Sequence, residues 1–315
     1  MPAAVKIVFF GTPEFAAEIL ENLAKSSLFQ IAAVVTIPDA PSGRGQKLMP
    51  TPVKVTAEQL ELKVLTPEKL NDAAYQELEK IGAELFLVVA YGKIFPERFL
   101  KLAKFGAFNL HPSLLPKYRG ASPIQSTILA GEEVSGFTIF QLTKAMDAGQ
   151  IYLREEFSIA GKTAAEVFHE VAARGSKMLR TFAEEMVSGK QFTPQKQMEA
   201  EVSYSKKFSK ADGQIFPERE TAEEILRKYR AFDIWPQIFY IDPVSGKRVK
   251  FLKIQEHTAV KVPSANGVFQ KFEGKCLMKT RDGLVEIVVA QPEGKKEMSG
   301  IEFWNYWNSN SFDKQ

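Results

Sequence analysis

The chain has 315 residues, 45% apolar and 25% charged, with 41 Lys/Arg against 38 Asp/Glu. That length suits one large or two medium domains with real cores, and a net charge of +3 is too small to identify a partner. A single cysteine excludes an internal disulfide and a cysteine-cluster metal site, and no apolar run of about 18 residues is present to span a membrane.

The amino terminus, MPAAVKIVFFGTPEF, breaks at Gly-Thr-Pro after an apolar run too short for a signal sequence, so the expected location is the cytoplasm. VKIVFF (5–10) reads as a buried strand, PEFAAEILENLAKS (13–26) as a helix with Pro near its first turn, and IAAVVT (31–36) as a second strand. ELFLVVAY (84–91) and GAFNLH (106–111) are continuous and apolar, like parallel strands covered on both faces. PIQSTILAG (123–131) predicts a helix closed by Gly131. SGFTIFQL (135–142) and QIYLREEFSI (150–159) alternate and fit strands nearer the sheet edge, and a long helix from Thr163 to Ser188 closes the unit. The rhythm is that of an α/β, Rossmann-like doubly wound domain over residues 1–189, a fold whose ligands sit at the carboxyl ends of the strands.

GKQFTPQKQMEAEVSYSKKFSK (189–210) is polar with little periodicity, and residues 190–205 are expected to link two domains. Residues 206–315 predict one helix (Ala222 to Ala231) and then the strand-like runs QIFYI, RVKFLKI, GVFQKF, CLMKT and LVEIVVA, as in a smaller, OB-like β-barrel. From Tyr204 onward 19 Lys/Arg stand against 15 Asp/Glu, a mildly basic tail compatible with a polyanion partner.

The chemistry concentrates at NLHPSLLPKYRG (109–120). Residues two apart in a strand share a face, so Asn109 and His111, one of three histidines, project together at the end of a central strand. A His can act as a base, and a neighbouring amide can donate to a developing oxyanion. Asp147, in MDAGQIY (146–152), is the candidate to orient the ring, and Gly149 would let its loop approach closely. Each feature alone has an ordinary reading: a His near a strand end is usually structural, Asp-Ala-Gly is a common turn, and Pro112 and Pro116 stiffen a loop. Missing patterns narrow the reaction further. The chain has no G-x-G-x-x-G after its first strand, no P-loop and no G-x-S-x-G, and His169 and His257 lack metal-ligand spacing. What remains is acyl or one-carbon transfer without a covalent enzyme intermediate and without a metal.

NLHPSLLPKYRGASPIQ, followed downstream by DAGQIY, resembles the folate-dependent formyltransferases that use 10-formyltetrahydrofolate. The resemblance implies a catalytic trio of Asn109, His111 and Asp147. It also implies a pterin wall from the backbone of Ser113, Leu114, Leu115 and Pro116, and a second wall from Tyr91, Gly92 and Ile94. FFGTPEFA (9–16), TIPDAPSGRGQKLMPTPVK (36–54) and RAFDIWPQ (230–237), with VVAYGKIFP (88–96) and QPEGKKEMSG (291–300), extend it over nearly the whole chain. Those segments narrow the resemblance to members that formylate the α-amino group of methionine on initiator methionyl-tRNA for translation initiation.

For the loop 36–54 the resemblance implies entry into the acceptor-stem major groove, with Arg44 and then Lys47 on the phosphates; without it, the loop reads as a surface loop. Lys206, Lys207 and Lys210 would extend a phosphate track, their plain alternative being a solvated charge cluster. The aromatics of IWPQIFY read as core, with no nucleic-acid role for Trp235. A monomer is implied. Formyltransferases of small amines share the NLHPSLLP signature but not the GRGQKLMP loop, and a non-catalytic folate- or RNA-binding relative would not be expected to keep the trio. Pro112 departs from members with Gly or Ala after the His, a difference confined to the backbone.

Overall fold

The computed structural model describes residues 4–42, 47–257 and 268–310. In chain order its first part holds β1 (Val5–Gly11), α1 (Glu14–Ala24), β2 (Phe29–Val35), β3 (Ala40–Ser42), β4 (Lys47–Met49), α2 (Pro52–Gln59), β5 (Val64–Leu65) and α3 (Asp72–Ile81). It continues with β6 (Leu85–Val89), α4 (Glu97–Leu100), β7 (Ala107–His111), α5 (Pro123–Leu129), β8 (Val134–Gln141), β9 (Ile151–Ser158) and α6 (Ala164–Val187). Seven of these strands form one sheet in the order β5-β2-β1-β6-β7-β8-β9. From β5 to β7 the pairing is parallel; β8 and β9 are antiparallel additions on one edge, where alternation placed them.

The continuous apolar runs are the central strands because helices cover both of their faces. Ile7, Val8, Phe9 and Phe10 of β1 are all fully buried. On one side Phe10 packs among Phe86, Tyr91 and Phe95. Phe108 of β7 packs against Phe182 of α6 and Tyr152 of β9. Leu110 lies over Gly175 of α6, where an added Cβ would come within 2.6 Å of the leucine. Burial of each such side chain contributes about 1.5–3 kcal/mol. Since Phe108 and Leu110 are committed to α6, alternation turns Asn109 and His111 to the opposite face.

Residues 50–83, to which the sequence reading assigns no element, hold two capped helices. The Thr51 hydroxyl accepts from the Lys54 amide at the start of α2, and the Asn71 side chain accepts from the Ala74 amide at the start of α3. Gly82 ends α3 in the left-handed conformation at φ 61°.

Met1–Pro123, Val134–Ser158 and Glu166–Lys206 group as one compact unit; Ile124–Glu133, Ile159–Ala165 and Lys207–Gln315 group as a second. The stretch 190–205, expected as a linker, is bonded into the first unit: Gln195 pairs with Ile151, and Tyr204 with Arg119. The second unit contains α7 (Ala222–Ala231), β10 (Phe239–Ile241), β11 (Arg248–His257), β12 (Phe269–Phe272), β13 (Lys275–Lys279), β14 (Leu284–Pro292), β15 (Met298–Ser299) and α8 (Gly300–Asn310). Its six strands are antiparallel, ordered β10-β11-β14-β13-β12 with β15 on β14. Phe303 and Trp307, one turn apart on α8, pack against Phe269. Among the described residues no helix is long and apolar enough to cross a membrane, and no cluster of three or more His, Cys, Asp or Glu could hold a metal ion.

Candidate active site

β7 presents His111 and Asn109 on the face turned away from α6. His111 is 4% exposed, and its Nε2 lies 3.0 Å from the carbonyl oxygen of Tyr118. A carbonyl only accepts, so this contact places a proton on Nε2 and leaves Nδ1 as the basic atom of the neutral ring. Nδ1 is 3.8 Å from Oδ2 of Asp147, a charge contact longer than a hydrogen bond. The sequence reading gives Asp147 the task of orienting the ring; in the structure that hydrogen bond comes from the Tyr118 carbonyl. Tyr118 (φ 60°) and Asp147 (φ 51°) are both left-handed, a conformation that non-glycine residues hold at a cost of about 1–3 kcal/mol and that clusters at functional sites.

The carboxamide oxygen of Asn109 is buried without a hydrogen-bond partner. An unmet buried polar atom calls for an explanation such as a catalytic task or a bound molecule. At this site the amide can turn its NH2 toward an oxygen that gains negative charge.

Asp147 rides on the loop between β8 and β9, and its Oδ2 accepts from the Gly120 amide at 2.8 Å. The close approach of this loop depends on Gly149, where a Cβ would overlap the carbonyl oxygen of Gln141. That obstacle is backbone and does not yield. Gly149→Ala is expected to destabilise the protein by about 1–3 kcal/mol and to lower activity by displacing Asp147, read as a falling denaturation midpoint; an unchanged midpoint would refute it.

The expected ligand walls divide. Tyr91 is 2% exposed and its hydroxyl is buried without a partner, so burial pushes its pKa up to about 12; its side chain is core. Its carbonyl is held by the Thr12 hydroxyl at 3.0 Å, which ties this loop to the turn after β1. Gly92 (φ 78°) and Ile94 are exposed, Ile94 to 86%, and stand open to a ligand. Ser113 and Leu115 are fully buried, and Thr138 braces them: its hydroxyl donates to the Ser113 carbonyl at 2.7 Å and accepts from the Leu115 amide at 3.1 Å. Leu114 is half-buried, with its carbonyl taken by the Lys117 amide, and the Pro116 carbonyl accepts from Ser203. This segment is rigid because its backbone is already bonded.

Of the residues expected on tRNA, Lys47 in β4, Lys206 at the end of the first unit, and Lys207 and Lys210 in the second are all exposed. Arg44 lies outside the described residues. Sequence reasoning missed Tyr118, Arg119, Gly120 and Gln197, which surround the His–Asp pair. The bonds of Arg119, Gly120 and Gln197 span 27 to 80 residues of chain, which no local pattern marks, whereas the Tyr118 carbonyl meets His111 from within the same NLHPSLLPKYRG segment.

Comparison with known proteins finds two family models on the chain: Formyl transferase over residues 5–182, and Formyl transferase, C-terminal domain, over residues 207–308. A methionyl-tRNA formyltransferase from Caldicellulosiruptor saccharolyticus is 37% identical over 307 residues, covering 95% of this chain and 96% of its own. One from Thermotoga maritima is 37% identical over 311 residues, covering 96% and 95%. Among solved structures, an N-formyltransferase from Helicobacter canadensis, in complex with folinic acid and dTDP-3-aminofucose, matches with a TM-score of 0.62 at 22% identity over 90% of this chain and 98% of that one.

Proposed function

The chain belongs to the formyl transferase family, and we propose that it transfers the formyl group of 10-formyltetrahydrofolate to the α-amino group of methionine on initiator methionyl-tRNA. One observation carries the choice of acceptor: the 37% identity to methionyl-tRNA formyltransferases runs through both units and about the full length of each partner. The buried, unpaired carboxamide oxygen of Asn109 and the exposed Ile94 support a fit to a folate-borne formyl group beside the base. The protein acts in the cytoplasm, as a monomer.

10-Formyltetrahydrofolate, when bound, supplies the electrophilic formyl carbon. His111 takes the proton that the attacking amine releases, at Nδ1, because the Tyr118 carbonyl occupies Nε2. Asp147, 3.8 Å from Nδ1, stabilises the imidazolium so formed. Asn109 donates to the formyl oxygen as negative charge grows there. His111 then returns its proton to the folate nitrogen as the carbon–nitrogen bond breaks, so no proton is left over. Gly92, Ile94 and half-buried Leu114 line the folate side, and buried Ser113, Leu115 and Pro116 brace that wall.

The fold match to an enzyme solved with an amino-sugar nucleotide favours one competing acceptor. The deciding measurement gives the purified protein 10-formyltetrahydrofolate with methionyl initiator tRNA or with a dTDP-amino sugar. Formylation of the tRNA alone is expected; formylation of the sugar alone would overturn the acceptor.

Arg44, Lys47, Lys206, Lys207 and Lys210 are assigned to the tRNA phosphates. Binding is therefore expected to weaken steeply with salt, and Arg44→Ala to reduce the slope of log affinity against log salt by about 1. Low salt should restore part of the variant's activity. A flat salt response in the wild type would remove these contacts from the reading.

A further inference from the structure

Of three consecutive residues, Tyr118 and Gly120 bond the His–Asp pair directly and Arg119 reaches its loop through Gln197. The Tyr118 carbonyl takes the His111 Nε2 proton, and the Gly120 amide donates to Asp147 Oδ2. Arg119 between them is 3% exposed, and its Nε donates to the side-chain oxygen of Gln197 at 2.9 Å. The Gln197 NH2 then donates to the carbonyls of Asp147 and Gly149, both at 2.8 Å. The orientation of this amide is forced, since a guanidinium N–H only donates and a carbonyl only accepts. Every polar valence shown for Gln197 points either to the buried arginine or to the carbonyls of Asp147 and Gly149.

A second set of bonds fixes the tripeptide from behind. The Tyr118 amide donates to the Ser203 hydroxyl at 2.9 Å, the Arg119 amide to the Ser203 carbonyl at 2.9 Å, and the Ser205 amide to the Arg119 carbonyl at 2.7 Å. The Ser205 hydroxyl accepts from the Ser122 amide at 3.1 Å. Gly120 has φ 116°, and a Cβ there would come 2.9 Å from that hydroxyl oxygen, so the chain passes this point only as glycine. Residues 195–205 thus form a strap that clamps residues 118–122 with one end and the Asp147 loop with the other.

We infer that Gln197 and Arg119 are positioning residues for the transfer reaction, holding the Asp147 carboxylate in register with His111. This rests on the catalytic reading of Asn109, His111 and Asp147 above. Neither residue touches a reacting atom. Gln197 sets the height of the loop through its two donated bonds, and buried Arg119 sets the rotamer of Gln197. A displacement of about 1 Å at a catalytic group lowers a rate by about a hundredfold, so such bonds matter even where they add little to stability.

The test is a double-mutant cycle between Gln197→Met and Asp147→Asn, read as single-turnover formyl transfer from 10-formyltetrahydrofolate to methionyl initiator tRNA. Gln197→Met alone is expected to slow transfer about 10- to 100-fold with substrate affinity changed far less. In the Asp147→Asn background the same substitution should cost less than about threefold, because the group it positions is gone. Multiplicative losses would mean that Gln197 acts elsewhere, and the inference would fall.

Gln197→Glu keeps length and the Arg119 contact but loses both donors. It should show the same non-additivity, and it replaces Gln197→Met should that variant unfold. If Asp147→Asn keeps the wild-type rate, the catalytic reading fails and takes the inference with it. If the wild type leaves the tRNA untouched but formylates a dTDP-amino sugar, only the acceptor is wrong, and the cycle is run on the sugar.

Discussion

His111→Ala is expected to slow formyl transfer by about 10²- to 10⁴-fold, the range spanned by positioned general bases. The substitution removes the ring proposed as the base and also the hydrogen bond, 3.0 Å long, between its Nε2 and the Tyr118 carbonyl. Loss of a part-buried hydrogen bond costs about 0.5–1.5 kcal/mol, so the variant should also melt earlier. His111→Gln separates the two effects. Its amide can still donate to Tyr118, which recovers stability, but it cannot accept a proton, so activity stays low. Single-turnover rates and denaturation midpoints on both variants provide the check. A His111→Ala rate within about threefold of wild type, in a folded protein, would rule the ring out as the base.

Asn109→Ala should move activity and stability in opposite directions. Loss of one oxyanion donor lowers the rate about 10²- to 10³-fold, equivalent to about 2.7–4 kcal/mol of transition-state stabilisation. The same change removes a buried carboxamide oxygen that has no partner in the protein, relieving an unmet acceptor. The denaturation midpoint is therefore expected to hold or rise, a trade seen where a site keeps a polar group ready for its substrate. An Asn109→Ala variant that is less stable and fully active would show that the amide serves the fold.

The sequence discloses its central strands because burial on both faces writes a continuous apolar run, as in β1, β6 and β7. It discloses Asn109 and His111 as a pair for an equally local reason, the two-residue period of a strand. Asp147 needs more: its loop is recognisable, but its 3.8 Å approach to His111 follows from the fold and from Gly149. The helices α2 and α3 carry legible caps at Thr51, Asn71 and Gly82, so their omission from the sequence reading is a failure to use signals that are present.

The helix α8 is different. GIEFWNYWNSN is rich in aromatics and asparagine, poor helix formers, and Phe303 and Trp307 hold it by packing on Phe269. Gln197 is unreadable for a third reason, since a polar stretch without periodicity looks the same whether it is solvated or bonded to something far along the chain, and Arg119 gains its role only through that bond.

The strap also decides where the molecule can be cut. The family resemblance of the first part stops at residue 182, and a boundary drawn from composition falls at 189. A fragment ended at either point keeps all seven strands of its sheet and the whole Asn–His–Asp trio. It nevertheless loses Gln197, Ser203 and Ser205, leaving the Arg119 guanidinium and the peptides of residues 118–120 to find new partners. Extension to Lys206 restores them. The shortest piece worth expressing is thus longer than its recognisable fold, and shorter pieces should be catalytically slack.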